Sequence, residues 1–171
     1  LVSDSVTLDE VSAVIEEVAP LKRAWSEASV SLSLDGEQHS FVGLSDFDVL
    51  GANSLITGQM PHLANEAAIG PNFARHQHLE VGDEFIVTSP AGEEKALLVS
   101  GVVSSALDGG TGIFLTLDGL VEIAGNDMID VAKTRQYQLV DDAQTDVALA
   151  HAEERFGDEV DTRLTGLFGS A

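Results

Sequence analysis

Three histidines close together in the chain, His62, His76 and His78, lie near Glu66 and have the side-chain types that bind metal ions. On an α-helix, His76 and His78 would point about 200° apart, whereas on a strand they would share one face. The pair Gly70-Pro71 favours a short helix here, because proline is well tolerated in the first turn. We therefore expect solvated surface histidines and no metal site.

Two groups of neighbouring carboxylates, Asp46-Phe47-Asp48 and Asp141-Asp142, could offer oxygen ligands to calcium. Neither belongs to the spaced acidic loop with a central glycine and a distal glutamate that wraps a calcium ion. In a chain with 29 acidic residues, adjacent carboxylates are expected by chance. We expect no metal ligands in either group.

A glycine-rich segment, Gly109-Gly110-Thr111-Gly112, has the composition of a phosphate-binding loop. Such a loop requires a lysine and a following helix, but here the apolar run Ile113-Phe114-Leu115 follows and predicts a strand. A connecting loop is the better interpretation. No serine lies in a Gly-x-Ser-x-Gly turn, and no carboxylate pair stands out for acid–base chemistry. The residues alone therefore predict no catalytic residues and no cofactor.

The charge of the chain restricts its partners. The formal net charge is −21, and the 8 basic residues are scattered, so nucleic acids and anionic membrane surfaces are not expected ligands. Such acidity indicates a high-salt or acid-rich proteome. There is no cysteine, which excludes disulfides, cysteine-bound metals and cysteine nucleophiles.

The N-terminal elements are clearly patterned. A helix is predicted from Leu8 to Val18, with Thr7 and Glu10 forming a capping box. Alternating residues at 30–34 and 40–44 predict two strands, and Asp35-Gly36 predicts the hairpin turn between them.

Short elements with glycine and proline breaks follow. The segment 51–61 is interpreted as a loop, and further strands are predicted at 65–69, 84–88, 95–103, 113–117, within 128–140 and at 160–164. Besides the helix at 72–78, a helical turn at 120–124 and a helix at 143–156 are predicted, the last with Val147, Ala150, Ala152 and Phe156 on its apolar face. Hairpins in the middle and helix–strand units at both ends indicate an α+β fold.

The middle of the chain carries a more specific pattern. It runs through Gly58-Gln59-Met60-Pro61, Asn65-Glu66-Ala67-Ala68-Ile69-Gly70, Phe73-Ala74-Arg75, Leu79-Glu80-Val81-Gly82-Asp83-Glu84 and Val99-Ser100-Gly101-Val102-Val103. This resembles the extracytoplasmic core domain of ABC transporter permeases of the MacB/FtsX/LolC type. The pattern departs from the family at Gln59, where arginine is common. The resemblance extends over most of the chain, and its specific part covers residues 58–103.

The motif residues are predicted to determine the fold and not to perform chemistry. They are Gly58, Pro61, Asn65, Glu66, Gly70, Ala74, Arg75, Val81, Gly82, Asp83 and Gly101. Glu66 is expected to accept backbone N–H bonds near the start of the following helix. Gly82-Asp83 is expected to form a turn, and Gly101 to mark a bulge or a close approach.

The resemblance implies a porter-like α/β subdomain formed by residues 1–51 and 112–171, with a β-rich subdomain, 52–111, inserted in it. Gly51, Gly58 and Gly109–Gly112 are expected to absorb hinge rotation. Leu1 would follow one transmembrane helix, and Gly166–Ala171 would lead towards the next. The domain would lie on the extracytoplasmic side of the cell membrane.

The resemblance also implies a function without catalysis. The chain would relay an ATP-driven conformational change to a cargo or partner outside the membrane. Its implied partners are a cytoplasmic ATP-binding subunit, reached through transmembrane helices, an extracytoplasmic protein or a lipoprotein or peptide cargo, and a second copy of the full-length protein. Two alternatives remain: a freestanding secreted acidic β-rich module that binds cationic peptides or polymers, and a hydrolase using carboxylates with a metal.

Overall fold

The computed structural model describes residues 7–104, 109–125 and 135–159. These ranges contain helices and strands throughout, which confirms the α+β class. In chain order the elements are α1 (Leu8–Glu16), β1 (Leu21–Trp25), β2 (Glu27–Leu34), β3 (Glu37–Leu44), β4 (Leu55–Gly58), β5 (Glu66–Ile69), α2 (Pro71–Gln77), β6 (Glu84–Thr88), β7 (Glu94–Val103), β8 (Ile113–Thr116), α3 (Leu117–Ala124), β9 (Gln136–Leu139) and α4 (Thr145–Phe156).

The described chain divides into two compact units. Unit 1 contains residues 7–26 and 135–159, and unit 2 contains residues 27–104 and 109–125. One unit is thus built from both ends of the chain and the other is inserted in it. The predicted boundaries at 51/52 and 111/112 differ from this division, because strands β2, β3 and β8 share one sheet with the strands of the middle segment.

Unit 1 pairs α1 and α4 with a small antiparallel sheet formed by β1 and β9. The capping box is confirmed, with the Glu10 backbone N–H donating to Thr7 Oγ1 and the Thr7 backbone N–H donating to Glu10 Oε2. The buried residues of this core are Val11, Ile15, Ala19, Leu139 and Ala148. Within α4, Ala148 and Ala152 face the core, whereas Val147 is 56% exposed and Ala150 is also exposed, so placing Val147 and Ala150 on the apolar face was wrong.

Unit 2 contains a sheet that closes on itself. Its strand order is β4-β7-β5-β8-β3-β2-β6, and β6 also pairs with β7. The predicted hairpin of β2 and β3 is confirmed, and its turn residues Asp35 and Gly36 have φ of 50° and 84°, as a tight hairpin turn requires. β3 pairs with β8 in parallel, which joins this hairpin to the middle of the chain.

The interior of unit 2 is filled by aliphatic and aromatic side chains. Those with almost no exposure are Phe41, Leu32, Ile69, Leu97, Ile113, Leu115, Leu120, Val87, Val99 and Val103. From α2, Phe73 packs edge-on against Phe85, with ring centroids 6.0 Å apart. From α3, Leu120 lies so close to β3 that a Cβ on Gly43 would be 2.8 Å from the Leu120 Cβ.

Most of the predicted elements that fall on described residues are confirmed within one to three residues at their ends. The predicted loop at 51–61 contains β4, and β1 was not predicted. Residues 128–134 of the region in which a strand was predicted at 128–140, and the whole predicted strand at 160–164, lie outside the described residues. Within the residues that the structure describes, no helix is long and apolar enough to cross a membrane.

Candidate functional site

The specific motif residues meet around β7, between Leu98 and Gly101. Here β7 pairs with β5 on one side, while β6 and β4 pair with successive parts of its other side. The motif residues brought together at this junction are Gly58, Glu66, Val81, Gly82, Asp83 and Gly101. A pattern that extends over more than forty residues of sequence therefore converges on one short stretch of strand.

Two glycines allow β4 to approach β7 closely. Gly58 has φ of 79°, and a Cβ there would overlap the Ser100 carbonyl oxygen and lie 3.0 Å from Val81 Cγ2. A Cβ on Gly101 would lie 2.5 Å from the Gln59 carbonyl oxygen. The pairing of β7 with β5 shifts register by one residue at Ser100, so Gly101 lies beside a β-bulge and in a close approach.

The turn before β6 is fixed to β7 by backbone hydrogen bonds. The Gly82 N–H donates to the Val99 carbonyl at 2.9 Å, and the Val99 N–H donates to the Asp83 carbonyl at 2.8 Å. The Asp83 Oδ2 accepts the Glu80 N–H at 2.8 Å and closes the turn. Gly82, with φ of 98°, supplies the left-handed backbone conformation that this turn needs.

Glu66 is the buried charged residue of this junction, with 7% exposure. Its Oε2 accepts the backbone N–H groups of His62 at 2.7 Å and Leu63 at 3.0 Å. These bonds, above all the one from His62, hold the pKa of the Glu66 carboxyl below its ordinary value, against the opposing effect of burial. Glu66 thus accepts backbone N–H bonds, but from the loop that precedes β5 and not from the following helix.

The remaining motif residues support β5 and α2. Pro61 is buried, and the Asn65 carbonyl accepts the Leu98 N–H at 2.8 Å. Ala74 is buried on α2, and the Arg75 guanidinium donates to the Asn72 side chain. These contacts are structural.

The glycine-rich loop is packed against the start of α2. The Gly110 carbonyl accepts the N–H of Asn72 at 2.8 Å, the Gly112 carbonyl accepts the Gly70 N–H at 2.8 Å, and the Asn72 side chain donates to the Gly109 carbonyl at 2.7 Å. Carbonyl oxygens therefore occupy the place where a phosphate would need free N–H groups. These glycines and Gly51 lie within unit 2 and not at its boundary, so the predicted hinge positions are corrected.

In the acidic pairs Asp46/Asp48 and Asp141/Asp142, one carboxylate of each accepts a nearby backbone N–H. Asp46 caps the 3-10 helix Phe47–Leu50, its Oδ1 accepting the Asp48 N–H at 2.9 Å. Asp141 Oδ1 accepts the Ala143 N–H at 3.0 Å. Over residues 7–104, 109–125 and 135–159, no group of three or more His, Asp or Glu side chains is placed to hold a metal ion, the three histidines included.

An open cleft lies between the end of β4 and the turn before β6. Its volume is about 280 Å³, and it is lined by Gly58, Gln59, Glu66, Val81, Gly82, Leu98, Val99 and Ser100. We call it the β4–β6 cleft. Sequence analysis singled out four of its residues as fold determinants but did not predict a cavity, because the lining residues come from four separate segments of the chain.

Three solved structures with the same fold come from transporters or a permease. The extracellular domain of the noncanonical ABC-type transporter YknZ from Gram-positive bacteria matches with a TM-score of 0.59 and 14% identity, over 90% of this chain and 83% of that one. The periplasmic region of MacB from Actinobacillus actinomycetemcomitans matches with a TM-score of 0.56 and 13% identity, over 88% and 72%. A domain of a protein assigned as a permease from Porphyromonas gingivalis matches with a TM-score of 0.51 and 18% identity, over 94% of this chain and 72% of that one.

No protein-family model and no curated protein sequence matches the chain significantly. At the identities found, the structural similarity establishes the fold. The chain has the fold of the MacB-like extracytoplasmic domain of ABC transporter permeases, as the resemblance implied.

Proposed function

We propose that this chain is the extracytoplasmic domain of an ABC transporter permease subunit, and that it relays an ATP-driven conformational change to a cargo or partner outside the membrane. The observation that carries the proposal is the shared fold, which extends over about nine-tenths of the chain in each of the similar structures. Under this proposal the domain is not an enzyme, and ATP hydrolysis belongs to a cytoplasmic partner.

The arrangement of the chain supports a mechanical role. Both ends of the described chain, residues 7 and 159, belong to unit 1, and unit 2 is inserted between them. Membrane helices that preceded and followed the domain would therefore both pull on one unit. Unit 2 is a sheet closed by hydrogen bonds, which favours its movement as one rigid body.

The complete gene provides a direct test. We expect it to encode an apolar segment of about 20 residues on each side of this domain, long enough to span a membrane. We further expect the full-length product, purified from membranes, to bring with it an ATP-binding subunit with ATPase activity. A gene without such segments, or a product that never associates with an ATPase, would contradict the proposal.

The charge favours one alternative, a freestanding acidic module that binds cationic peptides or polymers. A net charge of −21 would attract polycations over a distance set by the ionic strength. This alternative predicts binding to polylysine that decreases steeply with salt, together with a gene that lacks flanking apolar segments. The flanking segments therefore distinguish the two functions.

A further inference from the structure

The carboxylate of Glu66 has an oxygen that the fold does not use. Oε2 accepts two backbone N–H bonds, but among the described residues Oε1 accepts no hydrogen bond. Oε1 is also not among the described polar atoms that are both fully buried and without a partner, so it retains access to solvent. Glu66 is also one of the residues that line the β4–β6 cleft.

The described part of the fold supplies no lysine or arginine for this charge. In unit 2 the described residues of these two types are Arg75, which donates to Asn72, and Lys95, which lies 3.8 Å from Glu93. The charge of His62 contributes to lowering the pKa of the Glu66 carboxyl, but less than the two backbone N–H bonds do. Among the described residues, none forms an ion pair with Glu66. Glu66 is 7% exposed as a residue, its Oε1 is open to solvent, and no described lysine or arginine pairs with it, so its charge is available to a cation from outside.

The walls of the cleft suit an aliphatic chain that ends in a charge. The lining of the cleft includes the aliphatic side chains of Val81, which is 43% exposed, and Leu98. Gly58 and Val81 both line the cleft, and a Cβ on Gly58 would lie 3.0 Å from Val81 Cγ2. Lysine and arginine side chains combine an apolar stem with a cationic end.

We propose that the β4–β6 cleft binds a lysine or arginine side chain presented by a partner polypeptide, with Glu66 Oε1 receiving the charged group and Val81 and Leu98 packing against the stem. The overall charge of the chain would draw such a partner towards the domain. This site does not depend on the transport function proposed above, because the cleft and its charge are properties of the domain alone.

The test uses the 171-residue chain, labelled with ¹⁵N, and two short acetylated peptides. One peptide has a central arginine flanked by valine and glycine, and the other has citrulline, its neutral isostere, in place of arginine. We expect the arginine peptide to bind at least about fivefold more tightly and to shift the amide signals of Gly82 and Ser100, because the guanidinium pairs with a partly desolvated carboxylate.

Two pairs of variants locate the site. Glu66→Gln keeps an acceptor for the His62 and Leu63 N–H groups and removes the charge, whereas Glu94→Gln removes the same charge from the exposed start of β7. Val81→Lys places a competing cation at the cleft, whereas Ile86→Lys makes the same change at a residue that is 49% exposed and does not line it.

We expect Glu66→Gln and Val81→Lys each to weaken binding of the arginine peptide at least about fivefold. The controls Glu94→Gln and Ile86→Lys should weaken it at most about twofold, because the interaction between the two charges falls off with distance. If the Glu66→Gln variant does not fold, the comparison of Val81→Lys with Ile86→Lys alone tests the proposal. Equal binding of both peptides, or equal losses within either pair, would overturn the proposal. The gene-based test of the transport function is unaffected by either result.

Discussion

Glu66 is the residue whose replacement is expected to affect the junction most. Glu66→Ala removes the acceptor of two partly buried hydrogen bonds, donated by the His62 and Leu63 N–H groups, which we expect to lower the free energy of unfolding by about 2–4 kcal/mol. Glu66→Gln keeps an acceptor and should cost about 1–2 kcal/mol, because only the charge is lost. Urea unfolding measures both values, and equal stability of alanine variant and wild type would contradict this role.

The same residue should make stability depend on pH in a defined direction. Its folded-state pKa lies below the ordinary value of 4.5, so the unfolded chain binds the proton more tightly. The contribution of Glu66 is therefore complete above pH 4.5 and is lost as the pH falls through the folded-state pKa. We expect the stability difference between wild type and Glu66→Gln to shrink below pH 4.5. A difference that is constant from pH 7 to pH 3 would contradict the assignment.

Alanine substitutions at Gly58 and Gly92 distinguish the cost of backbone strain from the cost of a steric clash. Their φ angles are 79° and 83°, but a Cβ on Gly58 would overlap the Ser100 carbonyl, whereas nothing lies within 4 Å of a Cβ on Gly92. Gly92→Ala should therefore cost about 1 kcal/mol from strain alone, and Gly58→Ala at least about 3 kcal/mol. Thermal unfolding of both variants checks this, and equal costs would mean that β4 does not approach β7 closely.

For single residues, the sequence predicts the structural role better than it predicts the hydrogen-bond partner. Gly82 and Gly101 were expected at a turn and at a bulge or close approach, and their backbone geometry agrees. Glu66 was expected to accept N–H bonds, but its donors lie in the preceding loop. Residue type and local spacing fix what a side chain can do, whereas the choice among nearby donors depends on how the loop folds.

Among the elements, α1 and β9 are joined by a hydrogen-bonded tyrosine. The Tyr137 hydroxyl lies 3.1 Å from Ser12 Oγ and donates to the Leu8 carbonyl at 3.3 Å. Burial raises the pKa of the Tyr137 phenol, so the group stays neutral at physiological pH. We expect Tyr137→Phe to lower the stability of unit 1 by about 1 kcal/mol, measured by thermal unfolding. An unchanged melting temperature would show that these bonds contribute nothing.

Elements with local signals were predictable and elements with distant partners were not. The α1 helix carries its own capping box, and the β2–β3 hairpin carries its own turn. In contrast, β4 is four exposed residues that pair with β7, which begins 36 residues later, and β1 pairs with β9 from the other end of the chain. In β4 no residue is buried, and in β1 the burial alternates but the residue types Leu-Lys-Arg-Ala-Trp do not alternate in polarity, so neither strand has a pattern that predicts it.

For the whole molecule, the acidity predicts a response to salt. Repulsion among carboxylates in a chain of net charge −21 is screened by added ions, so the melting temperature should rise with moderate NaCl. Sucrose at the same osmolality, which does not screen charge, is the matched control. The same melting temperature at low and high ionic strength would contradict this expectation.

The boundaries of the two units are not visible in the sequence. The two end segments belong to one unit and the middle of the chain to the other. The inserted unit begins earlier because β3 pairs in parallel with β8, a contact between residues about seventy positions apart. Parallel pairing across such a distance leaves no local trace in the sequence.

The central claim, that this domain moves when a transporter uses ATP, is tested most directly by distances between spin labels in the full-length protein. The domain contains no cysteine, so labels can be placed at Val147→Cys in unit 1 and Ile56→Cys in unit 2, both exposed. Ile56→Cys with Ile86→Cys, both in unit 2, is the control pair. We predict that trapping the ATP-bound state changes the distance distribution of the first pair and leaves the control pair unchanged. Identical distributions for the first pair with and without ATP would contradict the claim.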